Sequence, residues 1–266
     1  MRFCVLGSGS KGNATYVSAR GRGLLIDSGF SGVEMERRLA VIGVETASLS
    51  AILLTHEHHD HIKGAAVLAR KYGFPLYANA RTITAAAKTL GAVPTVREFT
   101  TGTVFFLHEL SIHPFAVSHD TADPVGFVVQ SGGCSLGYCT DTGMVSRLIR
   151  HRLSACNGLI IECNHDPEML KNGPYPLRLK QRVRSQQGHL ANEEAAGFIA
   201  ELLHDGLQHV VLAHISETNN DPVLALATVE AAVKSDAAVS PVISLAWQDR
   251  TGEVVELTEC RADADI

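Results

Sequence analysis

The chain lacks the features that mark secreted, membrane-spanning and linker-rich proteins. Its 266 residues contain no uninterrupted apolar run long enough to span a bilayer. The first six residues lead directly into glycines and offer no apolar core of a signal peptide, so we expect a cytoplasmic protein with no membrane partner. No segment rich in proline, serine or glycine divides the sequence. We therefore expect one domain over residues 1–266.

Cysteine spacing and net charge exclude further classes. The six cysteines form no Cys-x-x-Cys pair, the spacing typical of structural zinc sites and redox dithiols. Several lie in apolar runs, so we interpret them as buried free thiols. The net charge of −5 argues against a protein coated with basic residues for nucleic acid, but it leaves room for a local basic patch.

Apolar strands alternate with amphipathic helices, which predicts a layered α/β fold. Asn192, followed by two glutamates, is predicted to cap the helix at 192–204. The other predicted helices cover 32–42, 62–72, 80–90, 144–155 and 222–235. Strands are predicted at 2–6, 14–18, 24–27, 51–55, 103–106, 110–118, 125–131, 135–140, 159–163, 209–213, 242–247 and 253–257.

Residues 7–12 match the dinucleotide-binding pattern G-x-G-x-x-G after a predicted strand. That pattern requires a helix next, whereas residues 13–18 are strand-like and are followed by a turn. A crossover between parallel strands needs about a dozen residues. We therefore predict a β-hairpin here and no dinucleotide site.

Six consecutive ionisable side chains follow the strand predicted at 51–55. Burying them without a partner would cost free energy, whereas a bound cation makes them ligands. His56 and His58 are two residues apart and can point the same way from extended backbone, while Asp60 and His61 begin the next helix. The run therefore predicts a metal site. Its members are His56, Glu57, His58, His59, Asp60 and His61, of which we place Glu57 and His59 outside the ligand set.

The order His-x-His-x-Asp-His after an apolar strand resembles the metal-binding motif of the metallo-β-lactamase superfamily. The resemblance implies an αββα sandwich of two mixed β-sheets flanked by helices. It also implies three further ligands at later strand ends, which match His119, Asp141 and His214. The competing candidates are His108 and His113 for the first position, Asp120 and Asp123 for the second, and His209 for the third.

The resemblance implies two divalent metal ions that hold a hydroxide between them. One ion would be bound by His56, His58 and His119, the other by Asp60, His61 and His214, with Asp141 between them. Ligands without sulfur suit zinc, manganese or iron. Asp60 also counts among the catalytic residues, and Asp27 matches an aspartate that the superfamily places beneath the histidines. The net positive charge left at such a site suits an anionic substrate.

Three features favour a phosphodiester as that substrate. Glu162 follows a predicted strand and His189 precedes a helix, which is similar to the nuclease branch of the superfamily, where an acid and a non-ligand histidine assist proton transfer. The alternative is that His189 merely begins a helix. The third feature is a basic segment without an acid, which predicts contact with a nucleic-acid backbone or else a solvated loop. Its cations are Lys171, Arg178, Lys180, Arg182 and Arg184.

At finer grain the chain resembles the bacterial WalJ/YycJ/VicX family almost end to end. The resemblance rests on residues 7–13, 55–61, 117–120, 123–126, 162–166, 188–190 and 214–220. It implies 5′-to-3′ exonuclease activity on DNA. The alternatives are a small-molecule hydrolase that acts on a lactone or thioester, and a protein that binds nucleic acid or an anionic ligand without cleaving it.

Overall fold

A computed structural model describes residues 1–234 and 240–259. Its strands are β1 (Arg2–Gly7), β2 (Ala14–Ala19), β3 (Arg22–Ile26), β4 (Leu49–Leu53), β5 (Leu76–Ala78), β6 (Val96–Glu98), β7 (Phe105–Leu107), β8 (Leu110–Ala116), β9 (Val125–Ser131), β10 (Cys134–Cys139), β11 (Gly158–Glu162), β12 (His209–Ala213), β13 (Val242–Leu245) and β14 (Val255–Glu256). Within the described ranges they form two seven-stranded sheets, in the orders β14-β1-β2-β3-β4-β5-β6 and β13-β12-β11-β10-β9-β8-β7.

Both sheets are mixed. The β3 to β6 strands are parallel to one another, as are β10 to β13, while the remaining neighbours are antiparallel. Parallel strands place their carboxyl ends at one edge of a sheet, where α/β folds gather their sites.

Helices cover the outer face of each sheet. They are α1 (Gly32–Val41), α2 (His59–Ile62), α3 (Ala65–Tyr72), α4 (Ala80–Leu90), α5 (Arg147–Leu153), α6 (Pro167–Asn172), α7 (Leu177–Val183), α8 (Asn192–Glu201) and α9 (Pro222–Val233). Buried side chains of α1, α3 and α4 pack on the first sheet, and those of α5, α8 and α9 on the second. The predicted αββα sandwich is confirmed. No helix in the described part of the chain has the length and apolar composition needed to cross a membrane.

Each central strand is buried on both faces, which explains its continuous apolar sequence. In β3, Leu24 and Ile26 point into the core between the sheets, while Leu25 points to the helices outside. In β11, Ile160 faces the core between the sheets, and its neighbours Leu159 and Ile161 face the outer helices. Because successive side chains of a strand point to opposite faces, each sheet packs against the other sheet on one side and against helices on the other.

The predicted hairpin at residues 7–12 is confirmed, because β1 and β2 pair antiparallel on either side of it. Five elements of the described residues were missed, because they are too short to give a clear hydrophobic period: β5, β6, α6, α7 and a 3₁₀ helix at Thr46–Ser48. The predicted cap at Asn192 is wrong. The N–H of Ala191 donates to the Glu194 carboxylate at 2.9 Å, while the buried side chain of Asn192 pairs with that of Asn220.

All cysteines in the described ranges are free and buried, as expected; Cys260 lies outside these ranges. Burial raises the pKa of the Cys4, Cys156 and Cys163 thiols to about 12. These thiols therefore stay neutral and act as small apolar groups in the core.

Candidate metal centre and active site

The ionisable residues of interest lie where strands of both sheets end. Asp27 follows β3, and His214 follows β12 directly. The backbone at Asp27, Asp141 and His214 has φ of 61°, 54° and 54°, a left-handed conformation that costs free energy in residues other than glycine. All three side chains are buried and lie in one cluster of polar residues at these strand ends. Such strain concentrated in one cluster is typical of a functional site.

Three histidines form the first ligand group. His56, His58 and His119 each present a ring nitrogen, and these nitrogens lie within 4.8 Å of one another. The His119 Nε2 and His58 Nδ1 atoms are 3.3 Å apart. Three imidazole nitrogens converging on one point form the donor set of a transition-metal ion.

A second group lies beside the first. The Nε2 atom of His61 is 3.7 Å from Asp60 Oδ2, and the nitrogens of His61 and His214 converge with this carboxylate. Asp141 Oδ2 lies 3.4 Å from His61 Nε2, and its Oδ1 lies 3.5 Å from His214 Nε2 and 3.8 Å from His119 Nε2. Asp141 therefore lies within reach of both groups.

Three buried nitrogen and oxygen atoms of this cluster form no hydrogen bond with the described residues. His56 Nε2, His214 Nε2 and Asp141 Oδ2 are buried and accept or donate no hydrogen bond within the described structure. Leaving such atoms unpaired is costly, and each requires an explanation. Nitrogen and carboxylate donors aimed at a shared space fit divalent metal ions. The cluster is therefore a site for divalent metal.

Hydrogen bonds to the Nδ1 atoms of His56 and His61 determine which ring nitrogen of each is left to bind a metal. Asp27 Oδ2 lies 2.7 Å from His61 Nδ1, and the Thr55 hydroxyl donates to the same oxygen at 2.8 Å. That hydroxyl also lies 2.9 Å from His56 Nδ1 and can accept its proton. With both Nδ1 atoms engaged, the Nε2 atoms of His56 and His61 remain for the metal.

Glu162 connects the metal cluster to His189. Its Oε1 lies 2.7 Å from His189 Nδ1 and 3.0 Å from His214 Nδ1, while Oε2 accepts the N–H of Leu190 and of Thr142, each at 3.1 Å. The burial of this carboxyl opposes its ionisation, but the two histidines hold its pKa at about 2. The side chain of Glu162 is 0% exposed and that of His189 is 14% exposed, so only the histidine is open to a substrate.

Several of the competing residues have other partners or lie apart from the cluster, although Asp120 Oδ1 is 3.5 Å from His119 Nε2. Glu57 binds the N–H of Ala122 at 2.8 Å, and His59 is exposed. His113 lies 3.1 Å from the carbonyl of Gly102, and His209 lies 2.8 Å from the Ser244 hydroxyl. His108 and Asp123 are absent from every metal-compatible group of the described residues.

Two asparagines at the site were missed by the sequence analysis. The Nδ2 atom of Asn13 lies 3.0 Å from His61 Nε2 and 3.3 Å from Asp60 Oδ2. The amide of Asn164 donates to the His214 carbonyl at 2.8 Å. Both residues stand inside the motifs that carry the family resemblance, but an asparagine gives no signal of metal chemistry by itself.

The basic segment begins in the last turn of α6, continues through α7 and ends just after it. Lys171 pairs with Glu168 at 3.2 Å, and Lys180 donates to the Lys171 carbonyl at 2.7 Å. A groove of about 330 Å³ lies between them, with Lys180 and Arg184 on its wall. Arg182 points elsewhere: its guanidinium binds Asp120, the neighbour of His119.

The fold and the site agree with the comparisons to known proteins. A profile described as the beta-lactamase superfamily domain matches residues 22–215. The chain belongs to the metallo-β-lactamase superfamily. It is 40% identical over 222 residues to exodeoxyribonuclease YycJ of Bacillus anthracis, a match that covers 83% of this chain and 84% of that protein.

Two further matches agree. Exodeoxyribonuclease WalJ of Streptococcus pneumoniae strain D39 is 40% identical over 223 residues, covering 82% of this chain and 83% of that protein. The crystal structure of the metallo-β-lactamase fold protein YhfI from Bacillus subtilis covers 96% of this chain and 99% of its own, with a TM-score of 0.73 and 18% identity. The structural match supports the superfamily fold, and the two sequence matches place the chain with the WalJ/YycJ family.

Protonation of the metal-free cluster gives a testable prediction. Burial opposes charge on both histidines, but Asp141 and neighbouring carboxylates raise the pKa of His61 to about 10 and of His214 to about 9. A raised pKa keeps the proton up to a higher pH, so both rings are protonated near neutrality. Metal must displace these protons, so we expect proton release on binding and an affinity that rises by about tenfold per pH unit for each proton released.

Calorimetric titration of Zn²⁺ into metal-free protein, in two buffers of different ionisation enthalpy, measures the released protons. Dialysis at about pH 5 should remove metal that is retained at about pH 8. Binding without proton release would contradict the assigned ligands His61 and His214.

Proposed function

We propose that this chain is a metal-dependent phosphodiesterase that degrades DNA from the 5′ end with two divalent ions, Zn²⁺ or Mn²⁺, in its site. The observation that carries this proposal is the Glu162–His189 pair, which stands beside the ligand cluster with the histidine partly exposed. The 40% identity to exodeoxyribonucleases over most of the chain supports the same substrate.

We assign the ligands by proximity. His56, His58 and His119 hold one ion, while Asp60, His61 and His214 hold the other, and Asp141 contacts both. When bound, two such ions polarise the phosphate and make water a nucleophile near neutral pH. Three residues orient the ligand rings through contacts with their Nδ1 atoms. Asp27 contacts His61, Thr55 contacts His56, and Glu162 contacts His214.

His189 is assigned as the proton donor to the departing oxygen. Its Nδ1 is engaged by Glu162 at 2.7 Å, which leaves Nε2 to face a substrate. The ring lies between those of His119 and His214, with centroid distances of 5.1 and 5.0 Å. A general acid in this place would donate its proton as the phosphorus–oxygen bond breaks.

The proposed DNA surface consists of the cations of the basic segment, of which Lys180 is half-buried and the others are exposed. They lie in the last turn of α6, on α7 and at Arg184 directly after it, next to the loop that leads to His189. A DNA phosphate bound to these cations is close to the proton donor. The reason is that the backbone N–H of His189 donates to the carbonyl of Val183, the last residue of α7, at 2.9 Å. The cations are Lys171, Arg178, Lys180, Arg182 and Arg184.

The direct test is hydrolysis of end-labelled, 5′-phosphorylated DNA with added Mn²⁺ or Zn²⁺. We expect stepwise loss of nucleotides from the 5′ end, and no turnover by His56→Ala, because this variant loses a ligand of the first ion. A protein with two bound metals per chain that leaves DNA intact but opens lactones or thioesters would refute the proposed substrate.

The role of His189 is tested by replacing it. His189→Ala should keep the metal content of the wild type, because this ring lies outside the two proposed ligand sets, and it should lower kcat by about 10²- to 10⁴-fold. Elemental analysis and single-turnover kinetics measure the two effects. Loss of metal from this variant would instead make His189 a ligand, since it also groups with Asp141, Glu162 and His214.

The DNA surface is tested through salt dependence. Changing Arg178, Lys180, Arg182 and Arg184 to Gln should reduce the slope of log affinity against log salt concentration by up to about three, because fewer counterions are released on binding. The matched control changes four exposed cations elsewhere, namely Arg20, Lys88, Arg97 and Lys234. An equal change of slope in both variants would contradict the assignment of the basic segment to the DNA-binding surface.

A further inference from the structure

One arginine of α7 differs from its neighbours in where its side chain points. Arg182 Nε donates to Asp120 Oδ2 at 2.6 Å, and Nη2 donates to Oδ1 at 2.9 Å. This two-bond geometry fixes the plane of the guanidinium as well as its distance. Lys180 and Arg184, by contrast, line the outer groove of the same helix.

The Arg182–Asp120 pair stands at the rim of the metal cluster. Asp120 Oδ1 lies 3.5 Å from His119 Nε2 and 4.0 Å from His58 Nε2. A single carboxylate therefore separates the guanidinium from two proposed metal ligands. The side chains of Arg182 and Asp120 are 47% and 32% exposed, so a substrate can reach the pair from solvent.

Asp120 holds Arg182 at this rim. Bound divalent cations would repel a nearby guanidinium, and the carboxylate of Asp120 lies between Arg182 and the ligand His119. The elements on either side are also fixed to each other, because the Ser118 hydroxyl donates to the Gln186 carbonyl at 2.7 Å and His119 Nδ1 lies 3.2 Å from the Gly188 carbonyl.

We propose that Arg182 is a phosphate-binding residue of the active site and that Asp120 is the positioning residue that holds it at the metal cluster. Asp120 occupies the Nε–Nη2 edge of the guanidinium, which leaves the Nη1–Nη2 edge to donate to the oxygens of a phosphate group. In this arrangement the substrate's phosphate binds between the metal ions and Arg182, and the other cations of the segment bind the DNA backbone further out. The proposal rests on the proposed function, because it assumes a substrate that carries phosphate.

The test measures binding of thymidine 5′-monophosphate to the metal-loaded protein by calorimetry. Arg182→Gln should weaken binding by about 10- to 100-fold, and Arg182→Lys by less, since lysine keeps the charge but loses the fork. The matched control is Arg150→Gln. Arg150 pairs with Glu201 at 2.6 Å on the outer surface and is 43% exposed, so its loss should change binding by about twofold or less.

Asp120 is tested in the presence and absence of its partner. Asp120→Asn alone should weaken binding, whereas in the Arg182→Gln background it should add about twofold or less, because the residue acts through Arg182. Metal content should equal that of the wild type in all variants. Additive losses, or loss of metal from Asp120→Asn, would assign Asp120 a direct role and overturn the positioning proposal.

The outcome separates this inference from the proposed function. Equal nucleotide binding by Arg182→Gln and Arg150→Gln overturns the inference, even where the wild type degrades DNA. Weakened binding by Arg182→Gln alone supports a phosphate-binding Arg182, even where the wild type fails to degrade DNA and the nuclease proposal falls.

Discussion

The structure depends on how buried charge is balanced at the edge of the two sheets. Asp141 is enclosed by imidazoles, and these histidines hold the pKa of its carboxyl well below the usual range despite its burial. Removing one member would leave its neighbours buried and unpaired. The strained backbone at Asp27, Asp141 and His214 persists because the surrounding layers fix the strand ends. Folding thus brings the donor atoms together, and metal binding is coupled to the protons that these side chains carry.

Much of this arrangement could be predicted from the sequence, for identifiable physical reasons. Burying the ionisable side chains from His56 to His61 costs free energy unless a cation binds them, so these six residues alone predict the metal site. The αββα fold and the later ligands needed the family resemblance, because several histidines and aspartates follow strands. Choosing His119 over His113 requires knowing where β8 ends and which way its side chains face.

The remaining features could not be predicted because they depend on tertiary contacts. The helices α6 and α7 are too short to give a hydrophobic period, so no helix was predicted in the basic segment. The side chain of Asn192 pairs with Asn220, which is 28 residues away in the sequence, and this contact overrides the local preference for a cap. Likewise, nothing in the local sequence distinguishes Arg182 from Arg184. Their side chains point in different directions only because Asp120, in the loop after β8, lies within hydrogen-bond distance of Arg182.

The double use of Glu162 makes positions 162 and 189 unequal in what a substitution disturbs. One carboxylate oxygen contacts both His214, inside the ligand cluster, and His189, outside the proposed ligand sets. A change at position 189 leaves the contact between Glu162 and His214 in place. A change at position 162 removes the partner of both histidines at once. The exposed ring can therefore be altered while the buried ligand cluster keeps its support, whereas the buried acid cannot be altered alone.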